Sequence, residues 1–430
     1  MRRIVVIVVA LVAIGAAAAA AVAFTRHTPP AVAAVPLRPT NGRAADVADA
    51  GLLVDPLDRF GLGLLAREAA AQSSGNVVVS PLSVDAALSL VLNGARGRTA
   101  DEMRRTLGLE GMSTAAADQA WADLLAEVQA GARPSVQVAD SLWLRDGVEF
   151  APAFLAAARQ SFAAAAEPLP NDPNAAARAI NDWVSGRTAG LIRDIVDAGD
   201  FSGPAPVILT VVNALHAKAA WATSFQAGAT EPRPFTLADG TTVQVPTMSG
   251  MFAAPVAQTS DYDAVALATR GSLTAWVIVP HAGHTATALL QSLQAGGLAP
   301  VYDGARRQSV MLELPKLHTS FGTTDLTPAL RAMGMVAAFS PADADLTGIV
   351  TPAALARTGN LSIAWVMHKA VLDVNEKGVE AAAATAVGVV GSAAPIARVT
   401  VSADHPFLLA LTDTRTRAPL FLALIRDPRA

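Results

Sequence analysis

One segment near the C-terminal end of the chain contains almost no large side chain. From Asn375 to Ala394 the sequence is Asn-Glu-Lys-Gly-Val-Glu-Ala-Ala-Ala-Ala-Thr-Ala-Val-Gly-Val-Val-Gly-Ser-Ala-Ala. Its alanines favour a helix over 380–386, and its small residues would also suit a flexible linker. Every second residue from Val379 to Val389 is small or apolar and uncharged, which is also the pattern of a strand with one buried face. A segment that suits two structures is a candidate for a conformational switch.

The chain from about Leu52 to Pro428 has no internal linker and no fixed-period repeat. Its length would suit two or three domains of ordinary size, but without a boundary we expect one large domain. Helical periodicity dominates early and short apolar strands dominate late, which favours an α+β fold. Helices are predicted through Val84–Leu92, from a capping box at Thr99–Glu102, and over Trp121–Val128, Pro152–Phe162 and Ala176–Val184. Strands are predicted at Val207–Ala214, Ala264–Ala268, Thr274–Val279, Val310–Leu314 and Leu420–Ile425.

The N-terminal part of the chain divides into two further segments. Arg2 and Arg3 precede an uncharged apolar run, residues 4–24, which is long enough to span a bilayer, while Ala21-Val22-Ala23 would suit a signal peptidase. Residues 1–24 are therefore expected to be a signal peptide or an N-terminal transmembrane anchor. Residues 25–51 contain four prolines among small residues and are expected to be an extended tether. We expect the domain at 52–430 to lie outside the cell, secreted or membrane-anchored.

Composition excludes several classes of function. The net charge of −4 without a basic cluster argues against nucleic-acid binding, and the absence of cysteine excludes disulfides and thiol catalysis. The closest histidine pair, His281 and His284, lies in a turn context, so we expect no metal and no other cofactor. The carboxylate pairs Asp261/Asp263 and Asp343/Asp345 are interpreted as solvated loop charges. Motifs of P-loop, dinucleotide-binding, serine hydrolase and zinc peptidase sites are absent, so we expect no enzyme.

Motifs distributed along the chain resemble those of the serpin family of protease inhibitors, and they occur in that family's order. The small-residue segment resembles the hinge and reactive loop of a serpin. The other matching motifs are Asn76–Ser83, Leu92–Thr99, Ile180–Trp183 with Gly186, Thr188 and Gly190, Asn213–Trp221, Leu314–Leu317, Phe339–Gly348, Val366–Ala370, His405–Phe407 and Ala418–Phe421. The resemblance therefore covers about residues 52–428.

The resemblance implies a fold and a mechanism. The fold would have three β-sheets, eight or nine helices and an exposed reactive-centre loop. The chain would be a monomer that acts as an irreversible suicide substrate: a serine protease attacks the loop, and the cleaved loop then inserts as a new strand into the main sheet. The nucleophile belongs to the protease, so the inhibitor itself is not an enzyme.

The resemblance also assigns roles to individual residues. Glu376 resembles the residue at the top of the insertion site, with Lys316 as its partner and Trp221 as the aromatic packed beneath the entry point. A simple surface ion pair remains the alternative for Glu376 and Lys316. The residues that resemble the polar cluster beneath the centre of the sheet are Ser80, Ser83, Asn213 and His368. The residues that resemble the hinge are Glu376, Lys377, Gly378, Val379, Glu380, Ala381, Ala382, Ala383 and Ala384.

The bond that a protease would attack follows less directly. Counting about sixteen residues from Glu376 marks the bond between Ser392 and Ala393, whereas counting back from Phe407 leads to about Pro395. We prefer the first, because the inserted strand needs a fixed length. Small residues before the cut suit an elastase-like or subtilisin-like protease with a shallow, uncharged pocket.

Two alternative functions remain open at this point. Val379 stands where inhibitory serpins more often have Thr or Ser, so a non-inhibitory serpin with a binding or structural role is one alternative. Valine is nevertheless uncharged and favours strands, so insertion should be retained. A membrane-anchored hydrolase with an unrecognised site is the other, and turnover of ester or peptide substrates would distinguish it.

Overall fold

The computed structural model describes residues 46–72, 74–132, 136–188, 190, 192–203, 206–217, 219–379 and 399–429, without the side chains of 131–139, 214–217 and 319–322. The α-helices in these ranges are α1 (Val47–Gly51), α2 (Val54–Ala71), α3 (Pro81–Gly94), α4 (Gly97–Thr106), α5 (Thr114–Ala132), α6 (Pro152–Ala157), α7 (Pro173–Arg187), α8 (Ala286–Gly296), α9 (Ala299–Gly304), α10 (Thr327–Ala332) and α11 (Pro352–Thr358). A π-helical turn, Ala158–Phe162, extends α6.

The strands are β1 (Val77–Val79), β2 (Val136–Arg145), β3 (Ala165–Leu169), β4 (Leu209–Ala217), β5 (Ala219–Ala220), β6 (Thr230–Thr236), β7 (Thr242–Gln258), β8 (Tyr262–Ala268), β9 (Leu273–Pro280), β10 (Arg306–Pro315), β11 (Leu317–Asp325), β12 (Ile363–Asn375), β13 (Gly378–Val379), β14 (Val399–Ser402), β15 (Phe407–Asp413) and β16 (Pro419–Ile425). The predicted helices and strands that fall within the described residues are confirmed in type, whereas the alternatives for residues 380–389 lie outside the described residues. Mixed α and β structure in these proportions confirms the α+β class.

The strands form two hydrogen-bonded networks. The larger has nine strands in the order β1-β16-β15-β9-β8-β7-β10-β14, with β6 also on β7. Strand β7 joins its two parts, because the beginning of β7 pairs with β6 and its end pairs with β8. These two parts and the smaller sheet are the three sheets that the resemblance implies.

The smaller sheet carries the candidate site. Its order is β3-β2-β4-β12-β13-β5, with β11 on the other side of β12. Its two central strands, β4 and β12, run parallel, with Ile363 opposite Leu209 and Ala370 opposite Leu215. Only residue 218 separates β4 from β5, so β5 continues the course of β4 after a break of one residue.

Helix α3 lies between the two networks. It contacts β16 of the larger network and both β2 and β4 of the smaller sheet, and its residues are almost all buried. Ser80 begins the helix as its N-cap, and proline follows at the first helical position. On the opposite face of the smaller sheet, α7 packs through a separate apolar cluster that includes Trp143, Trp183 and Trp365.

One prediction about helix starts is wrong. The sequence Thr99–Glu102 predicts a capping box, but α4 begins at Gly97 with Arg96 as its N-cap. The Thr99 hydroxyl instead accepts from the Asp345 N–H, and Glu102 accepts from the N–H groups of Val336 and Ala337. Both side chains therefore bond to a segment that is distant in sequence, and these tertiary contacts take the place of local helix capping.

Among the helices that the structure describes, none combines the length and the apolar composition that a membrane span requires.

Candidate functional site

The dipeptide Gly378–Val379, strand β13, lies between the two halves of the smaller sheet. Val379 pairs with Val374 of β12 on one side and with Ala219 of β5 on the other. Gly378 pairs likewise with Asn375 and Ala220. Both pairings are antiparallel. The beginning of the predicted hinge is therefore already a short central strand of this sheet.

Gly378 is required by the close approach of two backbones. A Cβ atom at this position would lie 2.1 Å from the carbonyl oxygen of Ala219 and 2.7 Å from the Cα of Ala220. Both contacts are far below van der Waals distance and involve backbone atoms that cannot rotate away. Any larger residue would push β13 out of the sheet.

Glu376 precedes this strand and is held by two partners. Its carboxylate oxygens lie 3.2 Å from the Lys316 ammonium and accept from the Thr230 hydroxyl at 2.8 Å. Partial burial raises the pKa of Glu376, but hydrogen bonds from its own N–H, Thr230 and Lys316 outweigh this and leave the pKa below its ordinary value. The side chain of Lys316 is 41% exposed, so solvent screens the ion pair and its net contribution is small.

Trp221 fixes the turn that leads into β13. Its side chain is fully buried, and its indole N–H donates to the Asn375 carbonyl at 2.9 Å. The Trp221 backbone N–H donates to the carbonyl of Lys377, and the Phe225 N–H donates to that of Glu376. Residues 221–225 thus donate hydrogen bonds to three successive carbonyl groups of the turn, and these bonds hold the beginning of the hinge in place next to the sheet.

Below β13 the sheet changes its pairing. The direct ladder between β4 and β12 ends, in the described part of the chain, at Leu215 and Ala370. Residues 371–373 of β12 lie between the end of that ladder and the pairing with β13. The two central strands are thus held apart by β13 at one end and hydrogen-bonded to each other at the other end. We call the boundary between β4 and β12 the parting line.

The four residues of the predicted polar cluster meet beneath the parting line. The Asn213 amide lies opposite His368 across β4 and β12, and its Oδ1 is 2.8 Å from His368 Nδ1. The Ser80 backbone N–H donates to His368 Nε2 at 3.2 Å. The Asn213 amide also donates to the Ser83 hydroxyl. All four side chains are fully buried.

These bonds fix the protonation of His368. Because Nε2 accepts from Ser80, the ring proton must be on Nδ1, from which it donates to Asn213. Burial lowers the pKa of His368 to about 4, so the ring is neutral at physiological pH.

Asp140 of β2 also bonds to the polar cluster, although it belongs to none of the sequence motifs. Its Oδ1 accepts from the Ser83 hydroxyl at 2.6 Å and from the Asn213 amide at 2.6 Å. The alternating residues Val136, Val138, Asp140, Leu142 and Leu144 did carry a signal, since one acidic residue interrupts the apolar face of a strand.

Serine, histidine and aspartate thus lie together, but not as a hydrolase site. The nitrogen of His368 that would have to take a hydroxyl proton is occupied by the Ser80 backbone N–H. The Asp140 carboxylate bonds to Ser83 and Asn213, so it orients no histidine. A substrate could not reach groups that are buried. The arrangement can hold two strands together, and it cannot perform acyl transfer.

The remaining predicted site residues lie outside the described residues. These are Glu380, Ala381, Ala382, Ala383, Ala384, Ser392 and Ala393. The chain is described again at β14, which pairs in parallel with β10. There the Ser402 hydroxyl donates to Glu313, whose other carboxylate oxygen contacts Arg233.

Comparison with known proteins gives the family. The family model for Serpin (serine protease inhibitor) matches residues 56–428. An uncharacterized serpin-like protein of Thermococcus kodakarensis is 31% identical over 370 residues, which cover 84% of this chain and 82% of that protein. Serine protease inhibitor 42Dd of Drosophila melanogaster is 31% identical over 347 residues, 79% of this chain and 89% of the inhibitor.

A solved structure supports the same conclusion for the fold. The native state of the thermophilic serpin tengpin superimposes with a TM-score of 0.78 at 22% identity, over 87% of this chain and 93% of that one. Together with the family match over residues 56–428, the architecture places the protein: the chain belongs to the serpin family.

Proposed function

We propose that this serpin is an irreversible inhibitor of serine proteases whose cleaved reactive loop inserts along the parting line. The observation that carries the proposal is the position of Gly378–Val379, which is paired on both sides within the smaller sheet. The hinge therefore already lies between β12 and β5, at the position where an inserted strand would begin.

The register of β13 defines where each further residue would go. In the antiparallel pairing with β12, residue numbers of partners add to a constant, since Val379 pairs with Val374 and Gly378 with Asn375. Continued in this register, Ala383 would lie opposite Ala370, where the direct ladder ends. Insertion beyond that point requires β4 and β12 to separate. Their backbone N–H and C=O groups then become free to bond to the inserted loop.

The same register brings one loop hydroxyl into the polar cluster. Thr385 would lie opposite His368 on β12 and, by its pairing with the β5–β4 side, opposite Asn213. Residues directly opposite each other in a sheet share one face, so the Thr385 side chain would point at the hydrogen bond that insertion breaks. A hydroxyl both donates and accepts, and it would therefore satisfy the two separated groups.

The proposed reaction is the first half of proteolysis. The hydroxyl of the protease serine attacks the carbonyl carbon of Ser392, the bond to Ala393 breaks, and the new amine leaves with a proton. The protease stays attached to Ser392 as an ester. A strand from Val379 to Ser392 would be roughly 43 Å long at about 3.3 Å per residue, so insertion carries the protease to the opposite end of the sheet.

We further propose an elastase-like or subtilisin-like target. The residues before the proposed bond, Val389, Val390, Gly391 and Ser392, are small and uncharged. They fit a shallow apolar pocket and supply no cation for a trypsin-like one.

The test is incubation of the purified protein with a pancreatic elastase, a subtilisin and trypsin, followed by denaturing electrophoresis after boiling. A covalent complex with elastase or subtilisin is expected, with the mass of the protease plus the inhibitor without its released C-terminal fragment. Cleavage without any complex would contradict the proposal and favour a non-inhibitory serpin. A complex with trypsin alone would contradict the proposed specificity and leave the mechanism standing.

Export is a separate proposal, supported by Arg2, Arg3 and the apolar run at 4–24. We propose that the inhibitor acts outside the cell, as a secreted or membrane-anchored protein. Fractionation of expressing cells with an antibody to the folded domain tests this, and protein found only in the cytoplasm would contradict it.

A further inference from the structure

We propose that a groove between α2 and the C-terminal ends of α4, α8 and α10 binds a soluble anion that carries two or more phosphate groups. We call it the arginine groove, after Arg59, Arg67 and Arg105, which line it. None of its lining residues belongs to the hinge, the parting line or the polar cluster. The site therefore goes beyond the proposed inhibitory function.

The arginine groove is a concave space of about 520 Å³ on the helical side of the molecule. One wall is a face of α2, and the other walls come from the end of α4, from Gln294 of α8 and from Met333 after α10. A Cβ atom at Gly63 of α2 would lie 3.2 Å from the Met333 Cε and 3.5 Å from the Gln294 Nε2. Glycine therefore lets these two side chains approach α2 and form the floor of the groove.

Hydrogen bonds hold the walls in place. The Leu298 N–H, which follows α8, donates to the Asp58 carboxyl group of α2 at 3.2 Å. The Thr106 hydroxyl at the end of α4 donates to the Met333 carbonyl at 3.4 Å. Because these bonds join the helices to each other, the groove is formed before any ligand binds, and little ordering entropy opposes binding.

The three guanidinium groups are available to a ligand. Arg59 and Arg67 lie on α2 and Arg105 lies on the end of α4, and all three residues are exposed. Within the residues that the structure describes, none of the three forms an ion pair. Arg59 donates to the backbone carbonyl of Asp55 and not to its carboxylate. The arginine groove thus presents cationic donors whose charge is not neutralised by a bonded acid.

Helix stability explains only one of these positions. Arg105 is in the last turn of α4, where the helix dipole favours a cation. Arg59 is in the second turn of α2, close to the end where the dipole favours an anion, and Arg67 lies before the last turn of that helix. A bound anion would compensate the two charges that the helix itself does not stabilise.

Two features offset part of the positive charge. Glu110 also lines the groove, so three arginines and one glutamate leave the lining with a net charge of +2. The C-terminal ends of the neighbouring helices carry partial negative charge. Their last carbonyl groups accept from the turns that follow, for example Arg105 from the Gly108 N–H and Arg331 from the Gly334 N–H, which reduces this effect.

The arrangement of the arginines favours a ligand with several phosphate groups. Guanidinium groups bind phosphate through two parallel hydrogen bonds. Arg59 and Arg67 are eight residues apart, about 12 Å along the helix axis, and Arg105 faces them from another element. A ligand with several phosphates can bond to more than one of them at once. A flat membrane surface would meet the rim but not the floor at Gly63, so the groove suits a soluble molecule.

The test is isothermal titration calorimetry of the intact protein with tripolyphosphate and with inorganic phosphate at low ionic strength. Tripolyphosphate should bind at least about tenfold more tightly than inorganic phosphate, and its affinity should fall as salt is added. In Arg67→Gln/Arg105→Gln the affinity for tripolyphosphate should fall by at least about tenfold. Both side chains are exposed, so the melting temperature of this variant without ligand should equal that of the parent.

Arg178→Gln/Arg270→Gln is the matched control, because it removes the same two charges from exposed positions outside the groove, on α7 and between β8 and β9. It should bind tripolyphosphate like the parent. An equal loss of affinity in both double variants would show attraction by overall charge only and would overturn the proposal. Absence of tripolyphosphate binding to the parent would overturn it as well, including the case in which the parent binds vesicles of anionic phospholipid.

The outcome is independent of the proposed inhibitory function. The groove variant should form the covalent protease complex as the parent does, because the groove contains no residue of the hinge or the polar cluster. A protein that binds tripolyphosphate through Arg67 and Arg105 but traps no protease would refute the inhibitory function and leave the phosphate site intact. Complex formation without tripolyphosphate binding would do the reverse.

Discussion

The Nδ1–H group of His368 donates to the Oδ1 of Asn213 at 2.8 Å, directly across the two strands that the loop would have to separate. Both side chains are fully buried. If the strands part without replacement of this bond, one donor and one acceptor are left unsatisfied in the core, at a cost of about 1–3 kcal/mol each. The bond therefore keeps the sheet closed until something else can satisfy both groups.

Thr385 is the residue that the register of β13 brings to this position. We expect Thr385→Val to insert more slowly, because valine has the shape of threonine but cannot bond to either group. A larger fraction of the inhibitor should then be cleaved without trapping the protease. The ratio of complex to cleaved inhibitor on denaturing gels measures this.

Thr385→Ser is the matched control, because it keeps the hydroxyl group and removes only a methyl. It should trap nearly as well as the parent. If valine traps as well as threonine, the hydroxyl does not enter the polar cluster and the register argument is wrong.

Much of the fold was predictable from the sequence, because apolar periodicity reports local structure directly. The helix through Val84 and Leu92 and the strand at Ala264–Ala268 both lie within observed elements. The start of α4 was not predictable, because Thr99 and Glu102 bond to residues more than 200 positions away.

The site shows the same limit. Lys316 and Glu376 are sixty residues apart in sequence, and no local pattern pairs them, so their contact was expected only through the resemblance to a family. Asp140 breaks the apolar alternation of β2, but a sequence cannot say that Ser83 and Asn213 lie within bonding distance of it. Long-range polar contacts depend on the finished packing.

A charge on the buried face of the hinge should prevent insertion. Ala383 would lie opposite Ala370, which is fully buried, so Ala383→Arg would place a guanidinium group in the core at a cost of several kcal/mol. The native fold should be unaffected, and the variant should become a substrate that the protease cleaves and releases. Complex formation and residual protease activity measure the change.

Glu380→Arg is the control for that variant. In the same register residue 380 would lie opposite Asp373, whose side chain is 22% exposed, so an arginine there would remain partly solvated. This variant should still inhibit. Inhibition by Ala383→Arg at the level of the parent would contradict the assignment of faces along the hinge.

Cleavage of the loop should stabilise the protein. Insertion of a central strand adds ladder hydrogen bonds on both sides and buries one face of the new strand. We expect protein nicked within residues 387–394 to melt higher than intact protein by an amount on the order of tens of degrees. Calorimetry of nicked and intact samples measures the difference, and an unchanged melting temperature would favour a non-inhibitory serpin.

The position of the attacked bond can be decided by sequencing the C-terminal fragment that an inhibited protease releases. Counting forward from Glu376 places the bond between Ser392 and Ala393, and counting back from Phe407 places it near Pro395. The forward count is the physically constrained one, because the inserted strand begins at a fixed point, Val379 between Val374 and Ala219, and its length sets how far the protease is moved. The segment between the bond and β14 is released on cleavage, so its length is free to vary.

A trypsin-like cut after Arg398 would add six residues to the inserted segment, or roughly 20 Å of slack at about 3.3 Å per residue. We therefore expect a fragment that begins at Ala393 or within one residue of it, and a fragment that begins at Val399 would contradict this assignment.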